Sequence, residues 1–274
     1  MVPRIFALCP CRDGGLCFVR QEIIEKVVIL LLENRIRTQA EIENYLADLK
    51  KWIADEEQTP AEEMAAFFAS RLDGYEAVHL GNWGELYAHI ADFFDDGLET
   101  LLDIGCGTGL ELEAMYRRFP NVHVTGIDLS SAMLVKAREK FRNKDFQAIE
   151  ADYFSHPFPA EAFDAALSFE TLHHFPYEKK GKIYEKLFYT LKNGGYYMEC
   201  DYVACCQEEE DLCRERSRRA RARSGLPEDV FIHIDTPLTI EHQMELMENA
   251  GFQNVRVLYQ NGGTVLFRAK KHIS

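Results

Sequence analysis

An α/β fold around a mostly parallel sheet is predicted by three observations. Short β-prone runs alternate with 10–15-residue amphipathic stretches from about residue 98 onward. One of those runs enters a glycine-rich turn, and the chain closes on two runs joined by Asn261-Gly262. The alternation is the signature of successive βα units, and an Asn-Gly between two apolar runs is a hairpin signal, so an antiparallel pair should finish the sheet.

The elements follow in chain order. Residues 20–58 read as helical: Ile23, Ile24, Val27, Val28, Leu30 and Leu31 form a broad apolar stretch. Thr38 and Glu41 then make a capping box before the helically spaced Ile42, Tyr45, Leu46, Leu49, Trp52 and Ile53. Pro60, just past Asp55-Glu56-Glu57, marks a boundary. Residues 1–60 are therefore expected as an N-terminal helical extension, offering a surface for a homodimer, a lid or both, and residues 61–274 as the main domain. Helical pattern resumes through Met64, Phe67, Phe68 and Leu72. Strands are predicted at Thr100–Ile104, His123–Asp128, Phe146–Glu150, Ala165–Phe169 and Tyr196–Asp201. Helices are predicted at Leu110–Phe119, Ser130–Phe141 and Glu178–Leu191, the last stopping at Asn193-Gly194-Gly195. An inserted segment at about 202–237 precedes a helix over Leu238–Ala250, and the final runs are Val255–Tyr259 and Thr264–Ala269. No internal repeat or low-complexity segment interrupts this order.

Composition narrows the function. The 274 residues are 47% hydrophobic, enough for a large core, and the formal charge is −14, a field that repels a phosphate backbone wherever basic residues are not gathered locally. Nucleic acid is thus an unlikely partner. The longest apolar run, Val27 to Leu32, is far below the roughly 20 residues that span a bilayer. Arg4, Arg12, Asp13 and Arg20 break up any secretory signal, so a cytoplasmic location is expected. The eight cysteines are expected as reduced thiols in a chain of this size. Cys9, Cys11 and Cys17 lack a fourth ligand nearby, and the adjacent Cys205 and Cys206 suit one tetrahedron poorly, so no metal is expected.

The chemistry sits in Leu101-Leu102-Asp103-Ile104-Gly105-Cys106-Gly107-Thr108-Gly109, a strand running into a turn where missing side chains let a ligand approach the backbone. Asp128 ends the next strand, where a carboxylate can accept both hydroxyl hydrogens of a ribose. Asp152 follows the third strand and could take an adenine amino group, with Met133 over the ring. A dinucleotide site would carry Gly or Ala at position 110, which is Leu110, and no Lys-Ser or Lys-Thr follows the glycines as in a phosphate-binding loop. Asp103 suits a ligand with positive charge, and S-adenosylmethionine has the sulfonium, amino group, ribose diol and adenine that these residues address.

Taken together, Leu101–Gly109, Gly126-Ile127-Asp128-Leu129-Ser130, Ala151-Asp152, Phe163–Ser168 and Leu191–Gly195 resemble the ordered motifs of class I S-adenosylmethionine-dependent methyltransferases, over roughly residues 64–270. The resemblance implies a Rossmann-like, doubly wound seven-stranded sheet with an antiparallel last strand. It also implies S-adenosylmethionine as cofactor and S-adenosylhomocysteine as product. Carried over by position, Gly105 and Gly107 would meet the methionine part, Asp128 the ribose, Leu129 and Met133 the adenine ring, and Asp152 its amino group. Tyr153 and Ser168 join the expected cofactor set with Asp103. Cys106 stands where the family commonly has Cys, Ser or Thr, so its thiol is no sign of redox chemistry.

Proton transfer, where the acceptor needs it, points to Glu170, His173 and His174 after the fourth strand. Tyr75, in a segment placed like a lid, could cover the sulfonium by a cation–π contact. Six arginines between Arg214 and Arg223 follow Glu208-Glu209-Glu210-Asp211. They read as an ion-paired helix face or as a collector for an anionic small molecule, with a tRNA stem left open. Residues 231–237 and Asp201-Tyr202 could line the same pocket. A small-molecule methyltransferase is the leading expectation. A distant likeness to the carboxy-S-adenosylmethionine synthase and tRNA wobble-uridine group, or a non-catalytic S-adenosylmethionine binder, are the alternatives. A nicotinamide oxidoreductase is disfavoured by the loop.

Overall fold

The computed structural model describes residues 32, 34–56, 59–227 and 230–272. The expected apolar helix over 23–31 and the cysteines at 9, 11 and 17 lie outside the described residues.

Seven strands form one sheet in the order β3-β2-β1-β4-β5-β7-β6. They are β1 (Thr100–Ile104), β2 (His123–Asp128), β3 (Phe146–Glu150), β4 (Phe163–Phe169), β5 (Leu191–Tyr202), β6 (Gln253–Asn261) and β7 (Thr264–Lys270). The first five run parallel, and β7 inserts antiparallel between β5 and β6. The expected hairpin thus closes the sheet, and its second strand is the inner one. Strand alternation splits the core into two layers: Leu101, Ala165, Leu167 and Met198 pack on one face, while Leu102, Ile104, Ala166 and Tyr197 pack on the other.

Helices cover both faces: α1 (Gln39–Asp55), α2 (Met64–Ser70), α3 (Leu72–His89), α4 (Leu112–Arg118), α5 (Ser131–Lys140), α6 (Tyr177–Thr190), α7 (Gln207–Ser224) and α8 (Ile240–Asn249). The capping box of α1 forms as its residues predict, with Glu41 N donating to Thr38 Oγ1 and Thr38 N to Glu41 Oε2. Trp83 breaks helical geometry inside α3, and its indole N–H donates to Thr264 Oγ1 at 2.9 Å, tying that bend to β7.

One boundary differs from expectation. Asn193-Gly194-Gly195 is the irregular start of β5 and no separate linker, because α6 ends at Thr190 and Leu191 already pairs with Phe163. A side chain at Gly195 would meet Asp164 O at 2.8 Å, so the strand can approach β4 there only without a Cβ.

The inserted segment is mostly α7, closed by Gly225 at φ +61°. It packs on α1, where Tyr45 Oη donates to Glu209 Oε1 at 2.6 Å and Arg216 stacks over Trp52 at 4.3 Å. Among the described residues no helix is long and apolar enough to cross a membrane.

Candidate active site

Parallel strands end their ladders on one edge of the sheet, and the loops after β1, β2 and β4 therefore meet there. After Ile104 the chain turns sharply, with Gly105 N donating to Ile127 O at 2.7 Å. Gly105 and Gly107 adopt φ of +69° and +49°. A Cβ on Gly105 would lie 2.3 Å from Thr171 Cγ2, and one on Gly107 3.3 Å from Tyr75 Oη. The glycines are thus needed for conformation and for space. Asp128, at the end of β2, accepts from Gly107 N at 3.0 Å and from Ser130 N at 2.7 Å. Burial raises its carboxyl pKa, and these backbone amides oppose the shift.

Tyr75, Gly105, Gly107, Asp128, Leu129, Met133, Tyr153, Glu170 and His174 line one cavity. Met64, Ala65, Phe68, Ser130, Phe169 and Thr171 complete it. The cavity is small, about 60 Å³, with Met64 and Phe68 of α2 and Tyr75 of α3 on its wall.

Other expected residues lie elsewhere. Asp103 is buried behind the loop with no donor to either carboxylate oxygen. Burial and the neighbouring Glu111 push its pKa well up. Cys106 is buried under Gly126, whose absent side chain would sit 2.8 Å from the thiol. Asp152 does not line the cavity; its Oδ1 caps the next turn through Phe154 N at 2.8 Å. Ser168 is fully buried and bonded to Tyr197 Oη at 2.6 Å.

At the end of β4 the chain carries Glu170 at φ +48°, and its Oε1 is buried without a partner. Burial lifts its pKa to about 8. His173 turns away from the cavity and shares a proton with Asp201, Nδ1 to Oδ1 at 2.5 Å. Leu172 N holds the other carboxylate oxygen at 3.0 Å. Burial opposes protonation of His173, but Asp201, Asp235 and Glu170 outweigh it and raise the pKa to about 9. His174 Nδ1 is 3.0 Å from Asp235 Oδ1, yet out of hydrogen-bond alignment. Burial, then the charge of His173, lowers the pKa of His174, with Asp235 opposing the shift.

A second cavity, about 510 Å³, opens between α1, α2 and α7. It is lined by Trp52, Phe67, Arg216, Arg219, Arg223, His233 and Asp235 among others. Arg218 and Arg219 pair with Glu215, the ion-paired face that the charge spacing predicts, and Arg219 lines the cavity together with Arg216 and Arg223. Phe67 with His233 and Phe68 with His174 form the wall between the two cavities, the two imidazole rings being 4.5 Å apart. The contributions of Thr171, Asp201 and Asp235 depend on segments about 30 residues apart, and only weak sequence hints pointed to them.

Residues 101–195 match the family described as a methyltransferase domain. The biotin biosynthesis bifunctional protein BioHC of Teredinibacter turnerae is 28% identical over 190 residues, covering 64% of this chain and 31% of that protein. The chain spans about a third of the length of the first curated relatives it matches. The carboxy-S-adenosyl-L-methionine synthase of Nautilia profundicola is 23% identical over 225 residues, covering 77% of this chain and 93% of that protein. Among solved structures, the apo form of the S-adenosylmethionine-dependent methyltransferase SibL superposes with a TM-score of 0.59 at 18% identity, covering 94% of this chain and 77% of SibL. The methyltransferase-domain match over residues 101–195, set inside this strand order, bears out the resemblance to class I S-adenosylmethionine-dependent methyltransferases.

Proposed function

We propose that the chain transfers a methyl group from S-adenosylmethionine to a small anionic acceptor by in-line displacement, leaving S-adenosylhomocysteine. The observation that carries this reading is the convergence of Gly105, Gly107, Asp128, Leu129, Met133 and Tyr75 on one cavity. The residues suit the cofactor: a Cβ-free turn at 105–107, an acid at the end of β2 for a ribose diol, and an apolar wall from Leu129, Met133 and Tyr153 for an adenine. When bound, the cofactor supplies a methyl made electrophilic by its sulfonium.

The chain's own work is binding, orientation and exclusion of water. Asp128 and the loop amides anchor, and the Tyr75 ring offers a π face to a cation. Entry of a ligand into so small a space requires α2 and α3 to move outward and then close over it, which shuts water out. Glu170, buried in the cavity wall with an unengaged Oε1, is the group placed to accept a proton from the acceptor. His174, on the wall of the same cavity, orients the acceptor end. Arg216 and Arg223 in the second cavity would hold a carboxylate or phosphate, a planar guanidinium being matched to both. The Nautilia relative favours a second reading, formation of carboxy-S-adenosylmethionine. That product carries an added carboxylate, and no Lys or Arg lines the smaller cavity among the described residues.

Titration calorimetry with S-adenosylmethionine, S-adenosylhomocysteine and NAD tests the cofactor, and S-adenosylhomocysteine release on a panel of carboxylate and phosphate acceptors tests the reaction. Binding of the first two but not NAD is expected, with Tyr75→Ala weakening the sulfonium ligand more than the thioether, by about 0.5–2 kcal/mol. Absence of S-adenosylmethionine binding overturns the proposal. Binding without turnover on any acceptor would favour a sensor.

A further inference from the structure

The wall between the two cavities has the composition of a metal centre. His173, His174 and Asp235 each offer one donor atom, and the three atoms lie within 4.8 Å of one another. His174 Nδ1 is 3.0 Å and His173 Nε2 3.7 Å from Asp235 Oδ1. Two ligands held about 2.0–2.2 Å from one ion at tetrahedral or octahedral angles are themselves about 2.9–3.5 Å apart, so modest closure brings all three to bonding distance.

Two further features point to an ion and not to a plain hydrogen-bond cluster. The His174 side chain is only 4% exposed, and its Nδ1 lies 3.0 Å from Asp235 Oδ1 with no aligned hydrogen bond, a buried ring nitrogen left for another partner at the cluster. His173 Nδ1 is engaged by Asp201, itself fully buried and held by the amides of Leu172 and Tyr202. That carboxylate fixes the ring and leaves Nε2 facing Asp235, the arrangement in which a carboxylate behind a histidine orients a metal ligand. Asp235 is 43% exposed and lines the larger cavity, so an ion has a way in.

We infer that His173 Nε2, His174 Nδ1 and the Asp235 carboxylate bind one divalent first-row transition ion, with a coordination position open toward the larger cavity. Two imidazoles and one carboxylate suit zinc, iron(II), manganese(II) or cobalt(II) better than magnesium or calcium, which take all-oxygen sets. The ion would stand between the arginine-lined cavity and the cavity of Gly105 and Asp128, where an oxygen or nitrogen of the acceptor can complete its shell. Its existence is independent of the methyl-transfer reading; only its placement against an acceptor rests on that reading.

The test is anaerobic titration of the metal-stripped full chain with Co²⁺, read by the visible d–d bands and by bound metal per chain, with S-adenosylmethionine affinity measured on each sample. We expect one ion that is lost in both His174→Ala and Asp235→Asn, retained in His123→Ala, and bound roughly 10- to 100-fold more weakly in Asp201→Asn. Azide should shift the bands by taking the open position. Cobalt bound at cysteines elsewhere would survive the Asp235→Asn change, which alters a half-exposed side chain and so spares the fold. Equal metal content in wild type and Asp235→Asn, or none in either, overturns the site, and bands indifferent to azide overturn its open position. Metal uptake without S-adenosylmethionine binding would leave this centre standing and remove the methyl-transfer reading; the reverse result would do the opposite.

Discussion

The Asp128 carboxylate accepts the Gly107 amide at 3.0 Å, so the acid at the end of β2 holds the glycine turn after β1 in place. The same side chain accepts Ser130 N at 2.7 Å and opens the next helix. A hydrogen bond to a charged group contributes about 1.5–3 kcal/mol. Asp128→Ala is therefore expected to weaken S-adenosylhomocysteine binding roughly 10- to 100-fold, and Asp128→Asn less, because its amide oxygen still accepts one of the two amides. Calorimetric titration of the variants decides; affinity untouched by Asp128→Ala would remove this residue from the site.

Gly105 and Thr171 are matched in shape across β1 and β4. An alanine at 105 must hold φ +69° and place its Cβ 2.3 Å from Thr171 Cγ2 and 2.7 Å from Oγ1. A left-handed non-glycine residue costs on the order of 1–2 kcal/mol before any clash. Gly105→Ala should lower the thermal midpoint by several degrees, at roughly 2–4 °C per kcal/mol for a chain of this size. Adding Thr171→Ala removes both atoms and leaves only the Cβ contact at 3.1 Å, so the double variant should recover part of the loss. Strictly additive losses in differential scanning calorimetry would contradict the match.

Glu199 on β5 gives the fold a pH dependence of its own. It is fully buried, accepts Tyr184 Oη at 3.1 Å and the Gln243 side-chain amide, and burial lifts its pKa from 4.5 to about 8. Lys180, buried nearby and donating to Gln243 Oε1 at 3.2 Å, only partly offsets that shift. Below pH 4.5 both states bind the proton and no penalty arises. Between about 4.5 and 8 the unfolded chain releases it while the folded chain keeps it, so this group makes stability fall as pH rises, and the effect levels off above 8. Urea midpoints at pH 5 and pH 8 should converge in Glu199→Gln relative to wild type. Equal pH slopes in the two proteins would refute the assignment.

The linear chain by itself determined the strands, the glycine turn and the acid at 128, because each is written in a local pattern: alternation, a missing Cβ, or the last residue of a run. The capping box at Thr38 and Glu41 was legible for the same reason. Spacing along a strand could not say which expected residues face a common space. Tertiary structure decided that Asp103 sits buried behind the loop and that Ser168 and Asp152 serve neighbouring atoms, whereas Tyr75, Glu170 and His174 share a cavity. It also decided that His173, Asp201 and Asp235 meet, since 28 residues separate the first two and the insertion carries the third. Side-chain direction and long-range closure depend on how β4, β5 and the insertion pack, and packing depends on every neighbour at once.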